Sequence, residues 1–267
     1  MSGLHLVLVA LIQGITEFLP VSSSGHLILL PNLTGFDDQG QAIDVAVHVG
    51  TLFAVMLYFR RDMARIFRGI PKVARGRIED QDSWLVLCLI IATIPVVIVG
   101  LILSITGLDE ALRSMAVIGW TMIIFGLVLY WADRTGASDK IGERWSLKDA
   151  AIMGLWQVLA LIPGTSRSGI TITGARQLGY NREDAARLAM LMAIPTIVAS
   201  GTLLGIEVAA TADAQAARDG AIAAVLSFFA ALGALWGMMA LLKKVSFTPY
   251  VIYRVILGVI LLVIAYS

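Results

Sequence analysis

Charged side chains are scarce in this sequence, where they make up 15% of the 267 residues. A soluble domain has about 25% charged and roughly 45–50% apolar residues, whereas 58% of the residues are apolar here. This scarcity of charge excludes a soluble globular domain. Cysteine is nearly absent too, and the single Cys88 excludes an internal disulfide and leaves no cysteine spacing for a metal site. The sequence therefore predicts an all-α integral membrane protein, surrounded by membrane lipids and without a nucleic-acid partner.

Long hydrophobic runs are what the sequence has instead. A helix needs about 20 mostly apolar residues to cross the hydrocarbon core of a bilayer. Six segments meet this requirement and are predicted to be transmembrane helices: residues 41–59, 84–106, 113–132, 184–206, 219–242 and 248–266.

Two further apolar segments, residues 4–31 and 149–175, are interrupted by polar residues, proline and glycine. The first is broken at Pro20 and the serines that follow it, and the second is broken at Pro163 and Gly164. Each half is too short to cross a bilayer, and such backbone is tolerated at membrane depth only where protein buries it or where it lines a wet cavity. Both segments are therefore predicted to be re-entrant helix hairpins.

The two broken segments resemble each other. Gln13 precedes Pro20 and a Ser-Ser-Ser-Gly run in the first, and Gln157 precedes Pro163 and a Thr-Ser-Arg-Ser-Gly run in the second. Three predicted spans separate them, and an odd number of crossings places them on opposite sides of the membrane, as in inverted-topology repeats. The predicted organisation is a single membrane domain (1–267) made of two repeats with one hairpin and three spans each, residues 1–132 and 133–267.

Basic residues are unevenly distributed over the predicted loops. Sixteen lysines and arginines lie in residues 60–83, 133–148, 176–187 and 243–244. The opposite loops contribute only Arg113 and Arg218. Cytoplasmic loops carry the excess of basic residues in multi-pass membrane proteins. The basic side is therefore predicted to be cytoplasmic, which places both termini and the mouth of the first hairpin on the outer face.

Ionisable residues at membrane depth are costly and are functional candidates by default. Five remain once the loops are set aside: Glu17, His26, His48, Arg167 and Arg254. Glu17, His26 and Arg167 lie in the broken segments, and this concentration is the main functional signal. His48 and Arg254 have no partner nearby in the sequence, so a structural role is predicted for them.

The broken segments combine charged residues with helix starts. Gln13 and Glu17 are four residues apart and share a helix face, and the serines at 22–24 supply N-cap residues for the next helix. Free N–H groups at a helix start favour an anion, most readily a phosphate. In the second segment, hydroxyl residues cap the following helix and Arg167 presents five donors suited to phosphate geometry. Such a cavity would suit a phosphate or a diphosphate.

These motifs resemble those of a known family. The segment Gln13-Gly-Ile-Thr-Glu17-Phe-Leu-Pro20-Val-Ser-Ser-Ser-Gly-His26 is similar to the first signature of the bacterial undecaprenyl-diphosphate phosphatases of the bacitracin-resistance type. The segment Pro163-Gly-Thr-Ser-Arg167-Ser-Gly-Ile-Thr171 is similar to the second. The resemblance covers the whole chain. It implies hydrolysis of undecaprenyl diphosphate, a polyprenyl diphosphate lipid, to undecaprenyl phosphate and inorganic phosphate in the bacterial inner membrane. This reaction recycles the lipid carrier of cell-wall synthesis, and the cavity is expected to open to the outer face.

The same resemblance assigns roles to individual residues. It implies that the catalytic residues are Glu17, Ser23, His26 and Arg167. Ser166 and Thr171 match further polar site positions of the family. The residues predicted to bind the substrate are Ser22, Ser24, Gly25, Ser166, Ser168 and Thr171. A divalent cation, Mg²⁺ or Ca²⁺, is also implied, and because hard cations prefer oxygen ligands, Glu17 and Gln13 are predicted to hold it. Gln13 stands where many members have glutamate, and His48 stands where a glutamine is expected.

The sequence leaves the attacking group and one other class of function open. Ser23 activated by His26 follows the nucleophile–base pattern, but His26 could attack directly, or Glu17 could activate water. Broken helices that meet at the midplane also bind anionic substrates in secondary transporters, so a flippase or carrier for polyprenyl phosphate lipids, with or without hydrolysis, is the alternative. Small-residue stretches at 119–126 and 233–237 can pack helices within one chain or in a homodimer.

Overall fold

The computed structural model describes residues 2–35, 40–108, 112, 114–211 and 214–267. These residues form helices and no β-strand, apart from an isolated bridge between Lys140 and Tyr180. The helices are numbered here in chain order: α1 Gly3–Thr16, α2 Ser23–Thr34, α3 Gln41–Tyr58, α4 Arg60–Ala74, α5 Gln81–Thr106, α6 Met115–Thr135, α7 Leu147–Val158, α8 Arg167–Gln177, α9 Arg182–Thr211, α10 Ala214–Leu242 and α11 Thr248–Tyr266. Arg113, which enters the charge pattern above, lies outside the described residues.

Six helices of the described residues are long and apolar enough to cross a membrane. They are α3, α5, α6, the part Arg182–Thr202 of α9, α10 and α11. Each coincides with one predicted span to within a few residues at either end. The prediction of an all-helical protein with six candidate membrane spans is therefore confirmed.

Helix α4 lies in a segment, residues 60–83, that is predicted only as a loop. Met63 and Ile66 recur one helical turn apart and are buried. Gly69 on the same face allows α4 to lie close to the backbone of Asp82. Because the other face of α4 is strongly basic, the average hydropathy of the segment hides an amphipathic helix.

Both broken apolar segments form two short helices with a break between them. The helices α1, α2, α7 and α8 are 14, 12, 12 and 11 residues long, whereas a crossing needs about 20 residues. Ser22 and Ser166, the residues before α2 and α8, have φ angles of 72° and 69°, and no other non-glycine residue of the described chain has a positive φ. Each lies nine residues after a buried glutamine, Gln13 or Gln157. The two breaks therefore share one unusual backbone conformation at matching positions.

The first helix of each broken pair packs against a span from the other half of the chain. Helix α1 lies against α10, and a Cβ atom on Gly14 would be 2.7 Å from the carbonyl oxygen of Ser227. Helix α7 lies against α5, and a Cβ atom on Gly154 would be 2.6 Å from the carbonyl oxygen of Ala92. Glycines thus permit the close backbone approach through which the two halves of the chain interlock.

Ion pairs connect basic segments at one end of the molecule. Arg187 of α9 pairs with Asp62 of α4 at 2.5 Å. Arg176 of α8 and Arg182 of α9 both pair with Asp133 of α6, at 3.1 and 2.8 Å. Three of the four segments that the charge pattern places on one side therefore lie together, and this end is called the basic end below.

The two small-residue stretches have different surroundings. A Cβ atom on Gly119 of α6 would contact Leu262 and Gly258 of α11. A Cβ atom on Gly233 or Gly237 of α10 would meet no atom of the described chain within 4 Å. The first stretch therefore packs two helices of one chain, and the predicted homodimer stays a prediction.

Candidate active site

The two breaks contact each other inside the protein. The backbone N–H of Gly164 donates a hydrogen bond to the hydroxyl of Ser24 (3.2 Å). The hydroxyl of Ser168 donates to the backbone carbonyl of Leu19 (2.9 Å). Ser24 belongs to α2 and Ser168 to α8, so the helix that follows each break holds the other break.

A pair of hydroxyl groups recurs in both breaks. Ser22 and Ser24 are 3.1 Å apart between their Oγ atoms, and so are Ser166 and Ser168. Ser166 also caps α8, since its Oγ accepts a hydrogen bond from the N–H of Gly169 (3.2 Å). The starts of α2 and α8 thus lie next to each other, and the partial positive charge of both favours an anion between them.

A cavity of about 190 Å³ lies between the two breaks. Its walls come from both breaks and from α3 and α9: Glu17, Ser22, Ser23, Ser24, His48, Ala160, Ile162, Gly164, Ser166, Arg167, Ile197 and Ser200. Two larger cavities, of about 480 and 830 Å³, open at the basic end, but no residue of either break lines them. The cavity between the breaks is therefore the candidate active site.

Glu17 and Arg167 are the charged pair of this cavity. They are 150 residues apart in the sequence and form an ion pair, and their side chains are only 7% and 16% exposed. Arg167 is the first residue of α8 and also donates from Nη1 to the carbonyl of Ala193 in α9 (3.2 Å). Oε2 of Glu17 accepts a hydrogen bond from the hydroxyl of Ser23 (3.0 Å). The structure thus brings together three of the four residues predicted to be catalytic.

Gln13 and His48 complete the surroundings of Glu17. Nε2 of Gln13 donates to Oε2 of Glu17 (2.8 Å) and lies 3.1 Å from Nε2 of His48. Nδ1 of His48 lies 2.7 Å from the carbonyl oxygen of Asp44. In the neutral ring Nδ1 therefore carries the proton, and Nε2 accepts from Gln13. His48 therefore belongs to the site. The sequence did not indicate this, because His48 and Glu17 lie in different helices.

His26 is held away from Ser23. Its Nδ1 lies 2.7 Å from the carbonyl oxygen of Ser22, and its Nε2 lies 2.6 Å from the hydroxyl of Tyr253 in α11. The rings of His26 and Tyr253 also stack, with centroids 5.5 Å apart. Both ring nitrogens are therefore engaged, and the hydroxyl of Ser23 has Glu17 as its partner. The contact through which His26 would activate Ser23 is not formed between these residues.

Arg254 of α11 is completely buried and has no acidic partner among the described residues. Its Nη2 donates to the carbonyl oxygens of Gly164 and Thr165 (3.1 and 2.8 Å), and its Nε donates to that of Met122 (3.3 Å). The C=O and N–H groups of a trans peptide point in opposite directions, so the N–H of Ser166 points away from Arg254. Since Ser166 lines the cavity and Arg254 does not, Arg254 holds the second break from behind.

Comparison with known proteins shows the family of this chain. The family model described as "Bacitracin resistance protein BacA" matches residues 6–260. This chain belongs to that family. Two proteins named undecaprenyl-diphosphatase, from Dinoroseobacter shibae and Jannaschia sp., are 69% and 70% identical to it over 100% of both chains. A third protein of that name, from Hahella chejuensis, is 47% identical over 100% of this chain and 99% of its own length. The resemblance of the two motifs to the bacitracin-resistance type is thereby confirmed.

In this member of the BacA family, the residues predicted to bind substrate have two kinds of surroundings. Three of them line the cavity, namely Ser22, Ser24 and Ser166. The other three hold the breaks in place, namely Gly25, Ser168 and Thr171. Thr171 donates a hydrogen bond to the carbonyl of Arg167 (2.7 Å). A Cβ atom on Gly25 would lie 2.7 Å from Sδ of Met122, so the glycine allows α2 to pack closely against α6.

A cation site in this BacA family member would depend on oxygen atoms of Glu17 and Gln13. Oε1 of Gln13 is buried and has no hydrogen-bond partner in the described part of the chain. Among the described residues, no group of three His, Cys, Asp or Glu side chains could hold a metal ion. Magnesium is often bound by one or two carboxylates together with the phosphates of the substrate. Glu17 lines the cavity and fits a cation that is shared with a bound diphosphate, whereas Gln13 lies behind the lining and could contribute only its buried Oε1.

Proposed function

We propose that this chain removes the terminal phosphate of undecaprenyl diphosphate and so returns undecaprenyl phosphate to cell-wall synthesis. The observation that carries the proposal is the Glu17–Arg167 pair in a cavity formed by two helix starts. The guanidinium fork and the N–H groups of the helix starts match the oxygens of a diphosphate. The names of relatives that are 69% and 70% identical support the same substrate.

The diphosphate binds with its prenyl tail among the apolar spans and its charged end in the cavity. Its terminal phosphoryl oxygens take the place of Glu17 on Arg167, because both anions use the same guanidinium. Glu17 keeps its hydrogen bonds from Gln13 and Ser23 when it leaves Arg167. Substrate binding thereby frees a carboxylate that is already positioned beside a hydroxyl.

Ser23 is the attacking group in this proposal, and Glu17 is its base. The 3.0 Å hydrogen bond from Ser23 to Glu17 supplies the nucleophile–base contact. Oγ of Ser23 bonds to the terminal phosphorus, its proton passes to Glu17, and the bond from this phosphorus to the bridging oxygen breaks, which releases undecaprenyl phosphate. Water then attacks the phosphorus of the serine phosphate, the bond to Oγ breaks, and Oγ takes back the proton from Glu17, which restores both groups and releases inorganic phosphate. Arg167 and the helix N–H groups stabilise the charge on the phosphoryl oxygens.

A divalent cation, Mg²⁺ or Ca²⁺, belongs to the proposal as well. Glu17 and Oε1 of Gln13 would hold it from the protein side, and it would supply positive charge to the diphosphate when bound. The buried and unpartnered Oε1 of Gln13 supports this assignment. Removal of the cation is therefore expected to stop phosphate release.

In the membrane, the two broken helix pairs act as re-entrant hairpins of two inverted-topology repeats. The shared backbone of Ser22 and Ser166 and the packing of α1 and α7 on the opposite halves of the chain support this arrangement. The basic end faces the cytoplasm of a bacterial inner membrane, in agreement with the distribution of lysine and arginine. Both termini then lie outside, and the cavity opens toward the outer face.

Phosphate release from a polyprenyl diphosphate by the purified chain in detergent tests the proposed function. We expect release that falls to background after chelation and returns when Mg²⁺ or Ca²⁺ is added back, because the cation shares the diphosphate with Glu17. The corresponding polyprenyl monophosphate is the control substrate and should release nothing.

The outcomes of this assay separate the phosphatase from the carrier. Folded protein that binds the diphosphate lipid but releases no phosphate with either cation would contradict the phosphatase and favour the carrier. Phosphate release that chelation leaves unchanged would contradict the proposed need for a cation, but it would not contradict the phosphatase.

A further inference from the structure

The cavity of about 830 Å³ at the basic end lies between α3, the start of α4 and α10. Its apolar wall includes Leu57, Phe229 and Trp236, which are 46%, 64% and 69% exposed. Arg60 and Arg61 line the same cavity. It shares no residue with the cavity between the breaks, so an apolar groove beside two arginines exists apart from the candidate active site.

Arg60 and Arg61 carry charge that the described residues do not neutralise. Both are exposed, and the described residues give neither of them an ion pair. Their neighbours on α4 differ, because Arg65 and Arg68 pair with Asp82 at 3.1 and 2.9 Å. Asp62, which also lines the cavity, is bound by Arg187 and is buried. The cavity therefore presents two guanidinium groups without an ion-pair partner in the described part of the chain.

The position of α4 places these arginines at the level of lipid headgroups. Met63 and Ile66 are buried on one side of the helix, whereas Phe67 and Ile70 are 58% and 47% exposed. An amphipathic helix with exposed apolar and basic residues lies along the membrane interface. Trp236 is six residues before the end of α10 at Leu242, and tryptophan is enriched at the same interface. The groove thus begins at the headgroups and continues into the apolar layer.

We propose that this groove binds an anionic phospholipid, with its phosphate at Arg60 and Arg61 and an acyl chain along Phe229 and Trp236. An arginine fork binds phosphate oxygens in a bidentate manner. A second copy of the chain fits less well, because a two-fold interface places the same patch on both subunits and would bring the four arginines together. The proposal does not depend on the phosphatase activity.

Trp236 provides the reporter for a direct test. The purified chain is reconstituted into two sets of phosphatidylcholine vesicles. One set contains brominated phosphatidylglycerol and the other contains the same mole fraction of brominated phosphatidylcholine. Bromine quenches tryptophan fluorescence on contact. We expect brominated phosphatidylglycerol to quench more than brominated phosphatidylcholine, and we expect this excess to be lost in Trp236→Phe and in the double variant Arg60→Gln/Arg61→Gln.

A matched double variant, Arg75→Gln/Arg144→Gln, removes two other exposed arginines and should keep the excess. A thermal unfolding temperature close to that of the wild-type chain shows that each variant is folded, and none of these residues lines the active-site cavity. An excess that persists in Arg60→Gln/Arg61→Gln would overturn the proposal, and so would equal quenching by the two lipids. Loss of the excess quenching in both double variants would show that the excess comes from general surface charge, and this result would also overturn the proposal. A bound second copy would shield Trp236 from both lipids, so that Trp236→Phe changes neither signal.

Discussion

Replacing Arg167 by alanine is expected to lower kcat/KM for phosphate release from undecaprenyl diphosphate by about 10³-fold or more, as loss of an arginine that stabilises a phosphoryl transition state does. Arg167 is the one arginine or lysine among the described residues that line the cavity together with Glu17. Without it, the phosphoryl oxygens lose a fork of donors in a site with little exposure to water. Phosphate release by the purified variant, with the cation present in excess, measures the effect.

Two further substitutions make this experiment specific. Arg167→Lys keeps the positive charge but not the planar fork, so its kcat/KM should lie between those of the wild-type chain and Arg167→Ala. Arg75→Ala removes an exposed arginine outside the cavity and should keep the wild-type rate. Near-normal activity of folded Arg167→Ala would show that the reaction takes place elsewhere.

Replacing Arg254 by methionine is expected to lower kcat by about 10²-fold, although Arg254 does not line the cavity, since a small misplacement of reacting groups has an effect of this size. Methionine leaves the carbonyls of Gly164 and Thr165 without their side-chain donor. Ser166 has a φ of 69° and persists in this conformation only while its surroundings hold it. The start of α8, and Arg167 with it, is therefore expected to shift. Arg254→Lys should restore part of the rate, because an ammonium group can still donate to these carbonyls.

Arg176 is the matched control for this prediction. It is also buried and donates to backbone carbonyls, but it does so at the basic end, on Asp133 and Ala137. Arg176→Met is expected to lower the thermal unfolding temperature and to leave kcat of the folded fraction near that of the wild-type chain. If Arg254→Met likewise lowers the unfolding temperature and leaves kcat unchanged, the proposed positioning role is wrong and Arg254 has only a structural role.

The local sequence pattern was sufficient to predict the membrane spans and the charged pair of the site. A span is recognised from its own residues, because about 20 apolar side chains in a row have few other uses. Glu17 and Arg167 were predictable because a charge inside a broken apolar segment is costly. Their contact across 150 residues is consistent with an inverted-repeat arrangement, in which broken helices meet.

Contacts between helices that lie far apart in the sequence could not be predicted from the local pattern. His48, Tyr253 and Arg254 lie in apolar spans. Only the folded chain shows that α3 reaches Glu17 and that α11 reaches α2 and the second break. Arg254 carried one signal, a lone charge in an apolar span. Tyr253 carried none, since tyrosine is common near membrane interfaces.

His26 shows a different reason for a difference between sequence and structure. Activation of Ser23 by His26 was one of three alternatives that the sequence left open, because a serine beside a histidine follows the nucleophile–base pattern. Both lie in α2, where the ring of His26 is directed back to the carbonyl of Ser22. Ser23 also lies one turn before His26, but both ring nitrogens of His26 are engaged, by Ser22 and Tyr253, and the hydroxyl of Ser23 donates to Glu17.

The claim that Glu17 and Arg167 act as one catalytic unit, with one residue from each broken segment, is tested most directly by a double-mutant cycle. The quantity to measure is kcat/KM for phosphate release by the wild-type chain, Glu17→Gln, Arg167→Lys and the double variant. We predict that the double variant loses little more activity than the more impaired single variant, because residues that act as a unit have strongly non-additive effects. Losses that multiply in the double variant would contradict the claim and would place the two residues in independent roles.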